Sequence, residues 1–420
     1  MGMEENLTAQ EYENSAVPLK ARKSLLSVSL VWFGFPLTLT GPVAGATIVS
    51  SLGFLKGMLA IILGSLALFI YVGLLGVLST KRGYNFSLQS SVTFGKKGST
   101  IVSGLLSTLV IGWFAVQTGM AGSSMEQAFG SNAFLMTLIA GLLFMGLTVL
   151  GIKALTYIGA ISSILFLVLG TIAASDAISQ SSWSSIASFT GNNSLNLGVA
   201  ITMIIALFAD SGTMTADFNR WSKNTKESII ATATAFPLAH MISLMVGGIF
   251  AASVLQNTDF FLHISNKEGF FTTAAILLLF CNLGSVCSHC LYNAAVGWSS
   301  LLNKKMRGTA FVLGIFGTIL ALSGAWDYFI QWLNFLGIIV PPIGAVILID
   351  QLVIRRNVDD FVSIRPRALM AWAIGSFIGI FTEFYAPFLS TALIAMIAAG
   401  ISYAILSMPL SKPININQTN

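Results

Sequence analysis

Apolar residues in this chain gather into long continuous runs separated by short polar stretches. Twelve runs can be marked, near residues 24–50, 54–79, 99–122, 132–151, 154–174, 196–216, 228–255, 270–292, 308–324, 327–350, 368–386 and 388–408. Most reach the ~20 residues that cross about 30 Å of hydrocarbon. The ~10-residue alternation of a transmembrane barrel is missing. In lipid only helices and closed barrels satisfy the whole backbone, so the pattern predicts an all-α polytopic membrane protein of about twelve helices.

Composition agrees. Of the 420 residues, 55% are hydrophobic and 9% charged, where a soluble domain carries about 25% charged residues. Charge then sets an orientation. With the N-terminus inside, all but Lys56 and Lys267 of the 21 lysines and arginines fall on the cytoplasmic side, a strong positive-inside bias. One missed or extra span would scramble every later loop. Both termini are therefore expected in the cytoplasm, and the net charge of +5 reflects topology rather than affinity for nucleic acid. Residues 1–23 lack the basic start and cleavage site of a secretory signal and read as a retained cytoplasmic tail. Residues 409–420 read as a second tail. The Ser- and Asn-rich stretch near 175–195 is the longest predicted loop.

Two runs contain helix breakers at mid-depth. The first carries Gly34, Pro36, Gly41 and Pro42, and each proline removes an N–H and leaves a carbonyl free about a turn earlier. The sixth carries Phe208, Ala209, Asp210, Ser211 and Gly212. A break inside a membrane is tolerated where protein or a cavity covers the freed groups, and matched breaks in two repeats point to a binding site between them. The first and sixth runs lie five helices apart, the spacing of two inverted repeats, 24–174 and 196–350, followed by two further helices at 368–408.

Asp210 is the most informative residue, because a carboxylate near the bilayer centre marks a pathway or ion site by default. Three roles compete: acceptor for a substrate's N–H edge, proton-coupling group, or protonated structural acid. Asp217, beside Arg220 near the inner end, reads as a solvated or paired helix end. Trp113 and Phe208 are placed at mid-depth and together can sandwich a planar ligand, although aromatic residues in membrane helices more often pack. His240 reads equally as a polar-interior or core histidine, and His263 as a solvated loop residue. Cys281, Cys287 and Cys290 share one run and imply no disulfide framework. Cys287-Ser-His-Cys290 lacks the further ligands a metal site needs, so these cysteines read as small polarizable packing residues.

At these positions the chain resembles the nucleobase:cation symporter-1 (NCS1) family, and most closely its bacterial cytosine-permease (purine-cytosine permease) branch. The resemblance runs from about Val17 to Arg356, with looser similarity beyond. It rests on VPLKARKSLLSVSLVWFGF (17–35), GWFAV (112–116), SGTMTADFNRW (211–221), LYNA around Tyr292 and FLGIIVPPIGAVILID (335–350). It implies a LeuT-like fold of two inverted five-helix repeats plus two helices, alternating access and a planar substrate at mid-membrane. It implies stacking between Trp113 and Phe208, with polar edge readers on spans three, six and eight. Here the chain departs: Val110 replaces a glutamine, Asp210 a serine and Cys287 an asparagine, which moves the expected substrate away from cytosine itself. Gln117, a turn beyond Trp113, is a substitute amide, and Ser211 stands beside Asp210. The family's sodium site maps onto Gly34 and Leu37 of span one and Asn282, Ser285 and Val286 of span eight. Val286 replaces a threonine and offers no oxygen to a hard cation. Thr38, Thr40 and Ser288 are assigned near these sites by position alone.

The expected function is ion-coupled symport of a nucleobase or related N-heterocycle, driven by H⁺ or Na⁺. The alternative is a cationic or non-nucleobase heterocycle coupled to H⁺ through Asp210. No cofactor, no metal beyond Na⁺ and no nucleic acid are expected. The partners are the small heterocycle and membrane lipid, the expected membrane is the plasma (bacterial inner) membrane, and a monomer is expected. There is no Walker A motif for ATP drive, and neither His-Glu-x-x-His nor Gly-x-Ser-x-Gly for an enzyme. Nor does one chain with two dissimilar broken helices look like a symmetric channel.

Overall fold

An apolar run free of proline makes a straight helix, and one interrupted by proline or by glycine with polar residues breaks. A computed structural model describes Tyr12 and residues 15–150, 152–254, 259–355 and 362–408. Most of the predicted N-terminal tail and all of the tail at 409–420 lie outside the described residues. Among the described residues, eight helices are long and apolar enough to cross a membrane: Phe54–Arg82, Lys96–Phe129, Ala133–Leu150, Tyr157–Ser181, Thr225–Ala251, Phe270–Ser299, Ala325–Ile354 and Pro366–Tyr385. They fall on predicted spans two, three, four, five, seven, eight, ten and eleven. Shorter apolar helices, Leu25–Gly34, Leu197–Ala206, Met306–Leu322 and Thr391–Ser407, fall on spans one, six, nine and twelve.

Spans one and six are short because they break. Span one runs Leu25–Gly34, leaves the helix, and resumes as Thr40–Leu52. Span six runs Leu197–Ala206, breaks at Leu207 and Phe208, and continues as Ala209–Thr213 and Ala216–Asn219. Two further breaks lie in runs read as continuous. Span seven leaves helical geometry at Phe236 (φ −124°, ψ 108°), where Pro237 crowds the residue before it into extended backbone. Span ten is interrupted at Val340, between Phe329–Ile339 and Pro341–Leu348. Two loop expectations also change. Span five continues to Ser181 and is followed by a short helix Trp183–Ala187, so much of 175–195 is helical. A helix Phe86–Phe94 fills part of the stretch between the second and third apolar runs, where no helix is expected.

Packing follows a pattern of exchange. The second half of span one packs on the second half of span seven, and the first half of span six on span two. Spans three and eight pack on each other, as do spans four and nine. Span twelve packs on span eleven and on the second half of span ten. The contact of span one with span seven needs backbones to touch. A Cβ added at Gly45 would strike the Leu244 carbonyl, and one at Gly247 the Pro42 carbonyl. Small residues permit this approach, which replaces the hydrophobic drive that lipid does not supply between helices.

Candidate substrate site at the two helix breaks

A break frees backbone groups, and at span one neighbouring helices take them up. The Leu39 N–H donates to Asn282 Oδ1 at 2.9 Å. Asn282 Nδ2 donates to the Leu37 carbonyl at 2.6 Å and to Ser162 Oγ at 2.8 Å. The Ser243 hydroxyl donates to the Thr38 carbonyl at 3.0 Å. One asparagine of span eight therefore fixes both strands of the break and ties them to span five. Its amide orientation is decided by the Leu39 N–H, which needs an acceptor.

At span six the short helix Ala209–Thr213 restarts the span, and Tyr71 Oη and Thr213 Oγ1 lie 2.6 Å apart. Asp210 is fully buried. Its Oδ1 accepts from the Ser211 N–H at 2.7 Å and from Ser211 Oγ at 3.3 Å. Its Oδ2 has no hydrogen-bond partner among the described residues, and neither does Trp113 Nε1. The Trp113 side chain lies close to this carboxylate, and the Cys290 thiol is also near it.

The two breaks meet spans three and eight around one small cavity. It is lined by Phe35, Thr38 and Thr40 from span one, Trp113 and Gln117 from span three, Leu207, Phe208 and Ser211 from span six, and Val286 and Cys290 from span eight. None of these side chains carries a charge. Its enclosed part has room for about one water molecule, so a ring compound enters only as the walls part. Gln117 accepts from Thr38 Oγ1 at 3.4 Å, and the Thr38 and Thr40 hydroxyls lie 3.3 Å apart. Phe208 meets Phe35 edge-on at 5.5 Å and His240 at 5.1 Å. Trp113 meets Phe329 edge-on at 6.2 Å, and Phe329 stacks on Trp326 at 5.1 Å.

Of the residues singled out in the sequence, Trp113, Phe208, Gln117 and Ser211 line this cavity, and Asp210 lies beside it. Val110 and Cys287 do not line it. The cavity meets span three at Trp113 and Gln117, a turn beyond Val110, which is buried in the core. It meets span eight at Val286 and Cys290, positions i and i+4 on one face. Cys287, about 100° round the helix, instead lies 3.7 Å from Thr118 Oγ1 and 3.7 Å from the Phe114 carbonyl. Of the positions assigned to a cation, Leu37 and Asn282 meet directly. Ser285 lies against Gly159 of span five and Gly34 against Ser163. Ser288 donates to the Phe144 carbonyl at 3.1 Å, away from the cavity.

Sequence reading passed over Phe35, Leu207 and Cys290 as lining residues, and Ser162 as part of the Asn282 junction. Phe35, next to Pro36, carried a usable signal; the others depend on helix rotation. His263 is not a solvated loop residue. Its Nε2 lies 3.0 Å from Asp176 Oδ2, which Lys267 also reaches at 2.7 Å. His240 is buried, with Nδ1 3.4 Å from Ser65 Oγ. Asp217 accepts from the Phe86 N–H at 2.9 Å and so holds the start of the short helix before span three.

A family model described as "Permease for cytosine/purines, uracil, thiamine, allantoin" matches residues 17–406. The cytosine permease of Escherichia coli (strain K12) is 28% identical over 411 residues, covering 96% of this chain and 95% of the relative. Among solved structures, the inward-facing conformation of Mhp1 superposes with a TM-score of 0.78 at 17% identity, over 94% of this chain and 92% of that one. Mhp1, a nucleobase-cation-symport-1 family transporter, in a closed conformation with bromovinylhydantoin bound gives 0.73 at 16% identity, over 94% and 95%. A Na⁺-coupled sialic acid symporter gives 0.64 at 14% identity, over 91% and 89%. The fold is therefore the LeuT-like transporter fold that the sequence suggested.

Proposed function

Because the chain belongs to the family of permeases for cytosine/purines, uracil, thiamine and allantoin, as the match over residues 17–406 establishes, we propose that it is a secondary transporter that takes a nucleobase or related N-heterocycle into the cell by ion-coupled symport. The observation that carries this reading is the cavity where both helix breaks face Trp113 and Phe208 across uncharged polar groups. The ring stacks on Trp113 and Phe208, and Gln117, Thr38 and Ser211 read its edge. Gln117 can turn its amide either way and so offers a donor or an acceptor.

Residues 24–174 and 196–350 form two inverted repeats. The exchange pattern of packing supports this, since swapping spans one with six, two with seven, three with eight and four with nine returns the same contacts. The termini face the cytoplasm, as the basic residues suggest, and the protein works as a monomer in the plasma membrane.

The coupling ion on this reading is H⁺. Where related carriers place Na⁺, Asn282 Nδ2 already donates to the Leu37 carbonyl, and Val286 brings no oxygen. Asp210, buried with one oxygen unpartnered, is the group that takes up the proton. A second reading keeps Asp210 ionised and gives it a cationic heterocycle as counter-ion; the unpartnered Oδ2 favours it.

Ligand-induced thermal stabilisation of the purified protein tests the proposal, since a compound that binds only the folded state raises Tm. The panel holds cytosine, uracil, purines, allantoin, hydantoins and aminopyrimidines, each with and without Na⁺. At least one is expected to raise Tm, and to do so without Na⁺. No shift with any of them sinks the substrate assignment.

A further inference from the structure

We propose that the indole N–H of Trp113 links the substrate's stacking surface to the Asp210 carboxylate, making Trp113 a positioning residue for Asp210 as well as a wall of the site. This rests on the transport reading above.

Buried donors and acceptors without partners are uncommon in native folds. Here one of each lies at the same junction: Trp113 Nε1 on span three and Asp210 Oδ2 on span six are both without partners among the described residues, Trp113 lines the cavity beside Ser211, and the two side chains are close enough to interact. Both side chains are nearly or wholly inaccessible, at 4% and 0% exposed, so bulk water does not satisfy them. The other groups around the short helix Ala209–Thr213 leave no better partner. Tyr71 of span two is engaged with Thr213. His240 of span seven lies against Phe208 and near Ser65. Span ten brings no titratable or charged side chain along Phe329–Leu348. Span eight contributes the Cys290 thiol, a weak donor. Ser211 is committed to Oδ1.

The indole is thus the donor at hand for Oδ2, and the same side chain, whose face a substrate ring would stack on, lines the cavity. A ring that stacks on that face presses on the same side chain that lies close to the carboxylate. Closing the Nε1–H to Oδ2 bond on ring binding couples binding to the charge state of Asp210. The same movement is passed outward, because the Trp113 ring packs on Phe329, which stacks on Trp326 at the start of span ten.

The test separates the indole's face from its N–H. The probe is whichever compound of the panel gives the wild-type protein its largest thermal shift, and its affinity is measured as a function of pH. Trp113→Phe keeps an aromatic face and loses the donor. It is expected to bind the probe within about threefold of wild type at one pH but to lose the pH dependence, as Asp210→Asn does, and the double variant is expected to show no further loss. Trp113→Phe with the wild-type pH dependence overturns the link. So does a wild-type affinity that ignores pH, and so does a Trp113→Phe variant that loses binding as fully as Trp113→Ala. Should Trp113→Ala itself bind as wild type, the stacking site falls and the link with it.

Discussion

The two broken helices differ in how the polar groups around them are paired. At span one, the Leu37 carbonyl and the Leu39 N–H are bonded to Asn282, and the Thr38 carbonyl to Ser243. At span six, the Asp210 Oδ2 atom and, on the neighbouring span three, the Trp113 indole N–H are both without partners among the described residues. A break whose groups are bonded to neighbouring helices is a fixed piece of scaffold, because an unpaired buried group is costly and movement there would create one. A break with two open valences is poised to change partners when a ligand or ion arrives. The first break supplies the frame and the second the response.

Variants can break this contrast from either side. The largest effect is expected at the paired break. Asn282→Leu strands the Leu37 carbonyl and the Leu39 N–H, and at about 1–3 kcal/mol for each the loss of stability should be about 2–6 kcal/mol. A thermal melt of the purified protein checks this, and an unchanged Tm would mean that Asn282 does not staple the break. Asp210→Asn should act the other way round, keeping the fold and abolishing accumulation above equilibrium. Uptake that remains concentrative would make Asp210 a structural acid. Trp113→Ala should weaken heterocycle binding by about 1–3 kcal/mol, the scale of base–aromatic stacking, read by titration calorimetry. The smallest effect separates two neighbouring cysteines. Cys290→Ser should change the ranking of ligands by about 1 kcal/mol, the size of a single hydrogen bond. Cys287→Ser should leave the ranking as it was, since that thiol faces Thr118 and the Phe114 carbonyl.

Sequence made the class of fold and the two central breaks legible, because both depend on local chemistry: long apolar runs, prolines without N–H groups, and one intramembrane carboxylate. Trp113, Phe208, Gln117 and Ser211 could be named for the same reason, with the resemblance to aid the choice. Rotation about a helix axis was not legible. Val110 and Cys287 were chosen by alignment of position, and the cavity meets their helices one turn and one face away. The break at Phe236 had a signal in Pro237, but a proline within an apolar run reads equally as a kink. The Asn282 junction joins spans one, five and eight, and no spacing within any one of them announces it. His263 looked solvated because the neighbours that bury and pair it are Asp176 from span five and Lys267 beyond its own turn.

The most direct test of the account is uptake into proteoliposomes in Na⁺-free buffer under an imposed inward proton gradient, using the radiolabelled compound that stabilises the protein most. The account predicts accumulation above equilibrium that collapses with a proton uncoupler and is unchanged when Na⁺ is added. Accumulation that requires Na⁺ and ignores the uncoupler would contradict it.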